Sequence, residues 1–345
     1  MYDIIIVGLG PAGSTLARLL DKKYKVLAID KKNENVSKCC GGLLSPDAQK
    51  ILAKFDLSLP KDVLVDPQIF SVRTIDNANH LEKFYQRFYM NMNRQKFDDF
   101  LISIIPDNVE LYKDSICKKI TLNNNLYDVE VETNGEREIK QAKIVIGADG
   151  ANSIVRKTFY NESKIKKYIS IQEWYENTNM SPFYSCIFDK KITDSYGWTI
   201  SKDTHFIIGG AFPIENSNDK FELLKKVVKE KHIEFDHKVK REGCFVYISK
   251  GFNSVCTGKN GAYLIGEAAG MISASSLEGI SYALESGNIL AKIINTKFKN
   301  ITFRYYMKTL KIRIILFIKI LKKPFMYNTF LRKLVMKSGL KSIRK

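Results

Sequence analysis

Unbroken apolar runs occur at Ile4-Ile5-Ile6-Val7 and at Val26-Leu27-Ala28-Ile29. Short runs of this composition predict strands buried on both faces. Between them the spacing changes: Leu16, Leu19 and Leu20 share one helical face, so the chain opens as strand, helix, strand. Residues 63–90 alternate, as in Phe70-Ser71-Val72-Arg73-Thr74-Ile75, and predict antiparallel strands. Helical spacing returns at Arg94, with Phe97, Phe100, Leu101, Ile104 and Ile105 on one side. Val129 to Val131 with the turn Asn134-Gly135 predict a hairpin. Ile144-Val145-Ile146 and Ala262-Tyr263-Leu264-Ile265 each run into glycine, and a helix follows through Ile294. Residues 168–250 alternate and are rich in aromatics, with helical periodicity only near 219–231. The pattern is α/β, with a mostly antiparallel sheet inserted into a unit of parallel strands.

The first turn carries the clearest chemistry. Gly8-Leu9-Gly10-Pro11-Ala12-Gly13 lies between the first strand and the helix, and the second strand ends at Asp30, 22 residues after Gly8. Gly8 permits the tight turn, Gly10 lets the backbone approach a pyrophosphate, and Gly13 lets the helix pack on the strand. The free N–H groups of the helix N-terminus then point at the phosphates, and Asp30 can accept from a ribose hydroxyl. Strand, helix and acid stand where a dinucleotide site needs them. A glycine turn without a ligand leaves the three glycines and the acid unexplained.

Composition narrows the class. A chain of 345 residues predicts about two domains, and the strand beginning at Tyr2 predicts no signal peptide. Six cysteines are scattered and Cys39-Cys40 are adjacent, which fits neither a disulfide framework nor a zinc spacing. We expect a reducing cytosol and no metal site. The net charge of +18 is concentrated at one end: residues 286–345 hold 16 Lys and Arg and no acid, leaving 39 basic against 37 acidic side chains before them. The body is nearly neutral, so its charge gives no reason to expect nucleic acid.

Further motifs add a family resemblance. These are Lys38-Cys39-Cys40-Gly41-Gly42, Arg94 with Asp98 and Leu101, and Gly147-Ala148-Asp149-Gly150. Tyr196-Gly197-Trp198-Thr199-Ile200-Ser201-Lys202 and Gly266-Glu267-Ala268-Ala269-Gly270 follow. Together with the first turn, the set resembles the FAD oxidoreductases related to p-hydroxybenzoate hydroxylase, and within them the geranylgeranyl reductase family, over about residues 1–295. The resemblance implies a Rossmann-type FAD-binding domain at 1–62, 91–160 and 251–295. A substrate domain would occupy 63–90 and 161–250, and a basic helical tail 296–345.

It implies FAD contacts from Gly8, Gly10, Pro11, Ala12 and Gly13 at the pyrophosphate, and from Asp30 and Lys31 at the adenosine end. Arg94 would lie near the phosphates and Ile116 near the adenine. Cys40, Gly41 and Gly42 would lie along the flavin, with Asp149, Glu267 and Gly270 over the ribityl side. Gly279 and Ile280 would meet the ring's pyrimidine edge, where a helix start favours negative charge on the reduced flavin. Cys40 is the candidate catalytic neighbour, and Tyr196 and Trp198 are candidate substrate contacts.

Three departures from the family pattern bear on substrate rather than cofactor. Glu267 replaces the family's Asp, Ser273 to Ser276 occupy a loop that lacks its usual proline, and Ile200-Ser201 replaces Phe-Pro. There is no second nucleotide fingerprint, so electrons would come from NAD(P)H docking transiently or from a reduced carrier. The expected reaction is hydride transfer from FAD to a carbon–carbon double bond of a prenyl or lipid-like substrate. Hydroxylation of an aromatic compound and a membrane-associated electron relay are the alternatives.

In the tail, Arg304, Lys308, Lys311, Lys319 and Lys322 fall on one helical stripe interrupted by Ile315. Leu310, Ile314, Leu316, Phe317, Ile318 and Leu321 cover much of the rest. A basic amphipathic helix fits an anionic membrane surface, a calmodulin-like partner or packing on the body. The expectation is a cytoplasmic protein that is peripheral on the membrane's inner face.

Overall fold

The structure is a computed structural model and describes residues 1–31, 38–160, 165–176 and 181–343. The expected α/β architecture is present, and the chain divides into two compact units. One comprises Met1–Ser37, Gln95–Lys166 and Tyr247–Ile320; the other comprises Lys38–Arg94, Lys167–Val246 and Leu321–Lys345.

The strands in chain order are β1 (Tyr2–Val7), β2 (Val26–Ile29), β3 (Leu43–Leu44), β4 (Ile69–Asp76), β5 (Leu81–Asn91), β6 (Val109–Tyr112), β7 (Ser115–Asn123) and β8 (Leu126–Thr133). They continue with β9 (Glu136–Gly147), β10 (Ile165–Glu176), β11 (Phe183–Phe188), β12 (Gly197–Lys202), β13 (His205–Phe212), β14 (Asp236–Ser249), β15 (Gly258–Lys259) and β16 (Ala262–Leu264). The helices are α1 (Pro11–Leu19), α2 (Pro46–Lys54), α3 (Arg94–Ser103), α4 (Ile154–Phe159), α5 (Ser217–Glu230), α6 (Ile280–Thr296), α7 (Ile301–Lys308), α8 (Leu310–Tyr327) and α9 (Thr329–Lys337).

In the first unit the apolar runs form the middle of a sheet ordered β15-β16-β9-β1-β2-β6. β1 pairs in parallel with β2 on one side and β9 on the other. Ile4, Ile5 and Ile6 are fully buried because helices or strands cover both faces of this sheet. After β1 the chain runs to β2 on one side, and after β9 it runs on to β16 on the other, so a switch point where open α/β sheets bind ligands lies between the carboxyl ends of β1 and β9. The hairpin of β8 and β9 turns through Asn134 and Gly135, both at positive φ, as its Asn-Gly signal requires.

The second unit holds a sheet ordered β14-β10-β13-β12-β11-β4-β5-β3. Most of the assigned pairings are antiparallel, as the alternation predicts, but β11 runs parallel to β4. One face is core: Ile75, Ile171, Ile187 and Ile208 pack against Phe221, Leu224 and Val228 of α5. The opposite face carries the chemistry described below.

The tail differs from the single amphipathic helix that its periodicity predicts. It forms α7, α8 and α9, with Thr309 buried at the first break and Asn328 capping α9 by accepting from the Phe330 and Leu331 N–H groups. Among the described residues no helix is long and apolar enough to cross a membrane.

Candidate functional site

In the first unit the site is built mainly from backbone. Gly8 sits at φ +98°, and a Cβ there would stand 2.7 Å from the Ala148 carbonyl oxygen. A Cβ on Gly13 would come within 1.9 Å of the Gly8 carbonyl oxygen, so this glycine allows the helix to lie against the turn. Gly10 is different: nothing lies within 4 Å of its Cβ position. Packing inside the protein explains Gly8 and Gly13, whereas Gly10 borders the space into which α1 points. That helix begins with Pro11, has no side-chain cap and no acid in its first turn, and Gly10 is its cap residue. Its first N–H groups therefore lack intrahelical acceptors and face outward with the positive end of the helix dipole.

Other predicted residues gather at the same end of the sheet. Val7 and Ile29 are register partners, which puts Asp30 beside the glycine turn. The Asp30 carbonyl accepts from Ser115 N–H at 2.9 Å, so Ile116, 42 % exposed, follows immediately at the edge. Lys31 is exposed. The Cβ position of Gly266 lies 3.0 Å from Ala12 Cβ, bringing the turn Gly266–Ala269 against the first turn of α1. Gly270 closes that turn at φ +80°. Gly287 lets α6 approach α1, since a Cβ there would lie 2.6 Å from the Ala12 carbonyl oxygen. Gly279 is the cap residue of α6 and Ile280 its first residue, again without a side-chain cap or an acid in the first turn.

Two of the predicted carboxylates have local structural duties. Asp149 Oδ2 accepts from Ile154 N–H at 2.7 Å and so caps α4, while Oδ1 is buried without a hydrogen-bond partner. Burial pushes the Asp149 carboxyl up to about 6. Glu267 Oε1 accepts from Tyr247 N–H at 3.2 Å, tying the 266–269 turn to the end of β14. From the other side Arg156 donates to the Ala268 carbonyl at 2.9 Å and the Ser254 carbonyl at 3.2 Å. Arg156 is buried, and its role was hidden in the sequence because these carbonyls lie 112 and 98 residues away along the chain.

In the second unit the sheet face opposite α5 carries Tyr184, Tyr196, Trp198 and Ile200. Register places Gln172, Gly209, Trp198 and Cys186 in one row across four strands. The Trp198 ring lies over Gly209, whose Cβ position is 2.4 Å from the indole nitrogen. That nitrogen and Gln172 Oε1 are buried without hydrogen-bond partners. The predicted loop crosses this face: a Cβ on Gly41 would meet Ile200 Cδ1 at 2.6 Å, and Gln172 Nε2 donates to the Cys40 carbonyl at 3.4 Å. Tyr196 and Trp198, named from sequence, thus stand on the face that the cysteine-glycine loop covers. Arg94, the first residue of α3, is half-buried.

Lys202 was quoted only as the end of a motif, yet it fixes the loop. Its ammonium donates to Asn91 Oδ1 and the Met92 carbonyl, both at 2.7 Å, and to the Gly42 carbonyl at 3.2 Å. Burial lowers it to about 7. Gly42 is left-handed at φ +62°, and a Cβ there would strike the Met92 carbonyl oxygen at 2.4 Å. Glu242 accepts from Gln172 and Trp174 at 2.7 and 3.0 Å. Burial alone would raise its carboxyl, but hydrogen bonds from Lys240, Gln172 and Trp174 hold it below the ordinary range. None of the six cysteines is in a disulfide, and burial pushes Cys117 up to about 12.

No family model matches the chain. Among curated proteins it is 46% identical over 346 residues to Protein CbrA of Escherichia coli O139:H28 (strain E24377A / ETEC), covering 99% of this chain and 98% of that protein. Protein CbrA of Shigella sonnei (strain Ss046) matches with the same identity and coverage. Among solved structures, a geranylgeranyl bacteriochlorophyll reductase-like protein from Thermoplasma acidophilum superposes with a TM-score of 0.75 at 21% identity. That match covers 99% of this chain and 87% of the other. PqsL, a probable FAD-dependent monooxygenase from Pseudomonas aeruginosa, gives 0.72 at 12% identity over 98% and 99% of the two chains. The flavin-dependent brominase Bmp2 gives 0.71 at 18% identity over 97% and 92%. The fold is the one these flavoproteins share.

Proposed function

The chain belongs to the CbrA family, and we propose that it is an FAD-dependent reductase of the geranylgeranyl reductase kind, acting on a prenyl or lipid-like substrate. The observation that carries this reading is the covered face of the second sheet. Tyr184, Tyr196, Trp198 and Ile200 are all buried there, yet they point away from the core that α5 closes. A face that is apolar, aromatic and roofed by a glycine loop suits a long unsaturated chain better than a charged metabolite.

The cofactor side rests on residues of the first unit. The Gly10 edge and the free N–H groups of α1 would take the pyrophosphate, with Gly8, Pro11, Ala12 and Gly13 shaping the turn. Asp30, Lys31 and Ile116 would hold the adenosine end, Arg94 the phosphates, and Asp149, Glu267 and Gly270 the ribityl side. Gly279 and Ile280, at the uncapped start of α6, would stabilise negative charge at the pyrimidine edge. Cys40, Gly41 and Gly42 are the proposed flavin contacts of the second unit. When bound, FAD would supply the hydride chemistry.

The chain's own residues do the rest. Lys202 holds the Cys40–Gly42 loop in place, Tyr196 and Trp198 orient the substrate, and burial of this face excludes water. Electrons come from NAD(P)H or a reduced carrier protein. A second reading, an FAD-dependent monooxygenase of an aromatic compound, is favoured by the ring cluster of Phe188, Tyr196 and Trp198, whose neighbouring centroids lie 5.9 and 5.7 Å apart.

The test is anaerobic reduction of the flavin-loaded protein with dithionite, followed by a polyprenyl substrate. Reoxidation of the flavin with saturation of the chain is expected. Flavin that stays reduced until oxygen is admitted, then yields a hydroxylated aromatic product, would replace the first reading with the second.

A further inference from the structure

The C-terminal helices expose more apolar surface than an ordinary surface helix. In α8 the exposed positions include Ile314 (44 %), Ile318 (44 %), Leu321 (58 %) and Phe325 (53 %), whose spacing of 4, 3 and 4 puts them on one stripe. The buried positions of the same helix include Arg313, which donates to the Tyr306 carbonyl at 2.8 Å and lies 3.7 Å from the Tyr306 ring centroid. In α9 the exposed residues include Phe330 and Leu334, while Arg332 is buried and donates to the buried Asp76 carboxylate at 2.7 Å. A helix whose only task was to pack on the body would turn its leucines and phenylalanines inward and its arginines outward. Both helices bury an apolar seam, Ile312 and Leu316 in α8 and Met336 in α9, but each also leaves apolar side chains outside and turns one arginine inward.

Charge selects what covers this face. Residues 286–345 carry 16 basic side chains and no acid, and Lys308, Lys311, Lys322, Lys337 and Lys341 are exposed. Exposed apolar residues and lysines, on helices that cannot span a bilayer, match the interfacial zone of an anionic membrane.

The inward side touches the substrate face. Tyr327 packs on Phe188 with centroids 5.7 Å apart, and the Arg332 guanidinium lies 5.1 Å from the same ring. Phe188 is the register partner of Asp76 and packs on Tyr196, which packs in turn on Trp198, so these contacts reach the ring cluster of that face. Beyond α9 the chain is tied on again, with Ile343 N–H donating to the Phe84 carbonyl at 2.7 Å.

We propose that the outward stripe of α8 seats on an anionic bilayer, and that a lipid substrate passes from it to the Tyr196–Trp198 face past Tyr327. The passage rests on the lipid-substrate reading above; the docking does not.

The experiment uses the full-length, flavin-loaded protein and sedimentation with vesicles of phosphatidylglycerol and phosphatidylethanolamine, against vesicles of phosphatidylcholine alone. Binding at least tenfold stronger to the anionic vesicles, weakened by salt, is expected. Ile318→Glu with Leu321→Glu should lower it a further tenfold or more, with flavin content and thermal midpoint unchanged because both positions are exposed. Lys311→Gln with Lys322→Gln reads the charge contribution separately and should weaken binding severalfold.

Absence of vesicle binding, equal binding to both vesicle types, or wild-type binding by the glutamate variant would each overturn the docking. So would self-association through this stripe that the glutamate variant abolishes. For the passage, Tyr327→Ala should change turnover of vesicle-borne substrate more than of detergent-dispersed substrate; equal change would overturn it. The vesicle assay contains no substrate, so docking without double-bond reduction defeats the reaction and leaves the surface standing. Reduction in detergent without docking does the opposite.

Discussion

The two units solve the problem of holding a ligand with opposite materials. In the first, the turn at Gly8–Gly13 and the starts of α1 and α6 offer backbone N–H groups, and the side chains there are mostly absent or apolar. In the second, the loop and sheet are set by buried side chains: Lys202 holds three oxygens, Asn91 donates to the Ser201 and Pro67 carbonyls, and Gln172 bridges Glu242 and the Cys40 carbonyl. A backbone site is vulnerable to any added Cβ but indifferent to most side-chain chemistry. A side-chain network is vulnerable to the loss of one donor, because every acceptor it served stays buried.

The sharpest way to break the comparison is at the glycines. Gly13→Val would drive a side chain into the Gly8 carbonyl, 1.9 Å from the Cβ position, so α1 has to shift away from β1. We expect flavin content of the purified protein to fall by at least a hundredfold, read from its visible absorbance, with the second unit's near-ultraviolet signal retained. Gly10→Ala meets no protein atom within 4 Å, so stability should not move while FAD affinity drops about tenfold, or ~1.4 kcal/mol. If Gly10→Ala bound FAD as tightly as the wild type, the space beside Gly10 would not be the pyrophosphate site.

In the second unit the corresponding change is Lys202→Met, similar in length but without donors. It leaves Asn91 Oδ1 and the Met92 carbonyl short of a partner, while the Gly42 carbonyl keeps the Met92 N–H at 2.9 Å. A loss of about 3 kcal/mol in urea unfolding is expected, since each buried unsatisfied group costs ~1–3 kcal/mol and part of the loss is recovered by relaxation. Flavin binding should weaken less than turnover, because the loop rather than the phosphate turn is released. Unchanged unfolding together with unchanged turnover would show that the loop is held by its glycines alone.

This contrast also explains what was legible in the sequence. Backbone sites write themselves locally: Gly8, Gly10, Gly13, Asp30 and the apolar runs lie within thirty residues, and their spacing carries the geometry. The paired strands and α5 were readable for the same reason, as period and turn residues are local. Lys202, Asn91 and Gln172 were not, because their partners lie 70 to 160 residues away along the chain for the bonds that matter most. A lysine in an alternating strand reads as solvated until the fold buries it. The tail misled in another way. Its stripe of lysines suggested one helix, whereas Thr309 and Asn328 break it into three, and the inward turn of Arg313 and Arg332 depends on Tyr306 and Asp76, which no helical period reveals.

A smaller effect than that of Lys202→Met is expected where the backbone site borrows a side chain. Asp149 caps α4 through Ile154 N–H, but its other oxygen is buried without a partner, and burial raises the carboxyl from 3.8 to about 6. With the folded value above the unfolded one, folding takes up a proton between those limits. The stability this contributes is complete below about pH 4 and is lost as pH rises through 6. Asp149→Asn keeps an oxygen for the Ile154 N–H and cannot ionise, so it should match the wild type near pH 4 and exceed it above pH 6. The gain at pH 8 should be about 2 kcal/mol, below the ~3 kcal/mol that the full displacement corresponds to at roughly 1.4 kcal/mol per unit, because the folded protein relaxes around the charge. Denaturant unfolding at the two pH values, with flavin content matched, measures it. A gain of equal size at pH 4 and pH 8 would mean that the amide improves the cap itself, and that the buried charge is not what separates the two proteins.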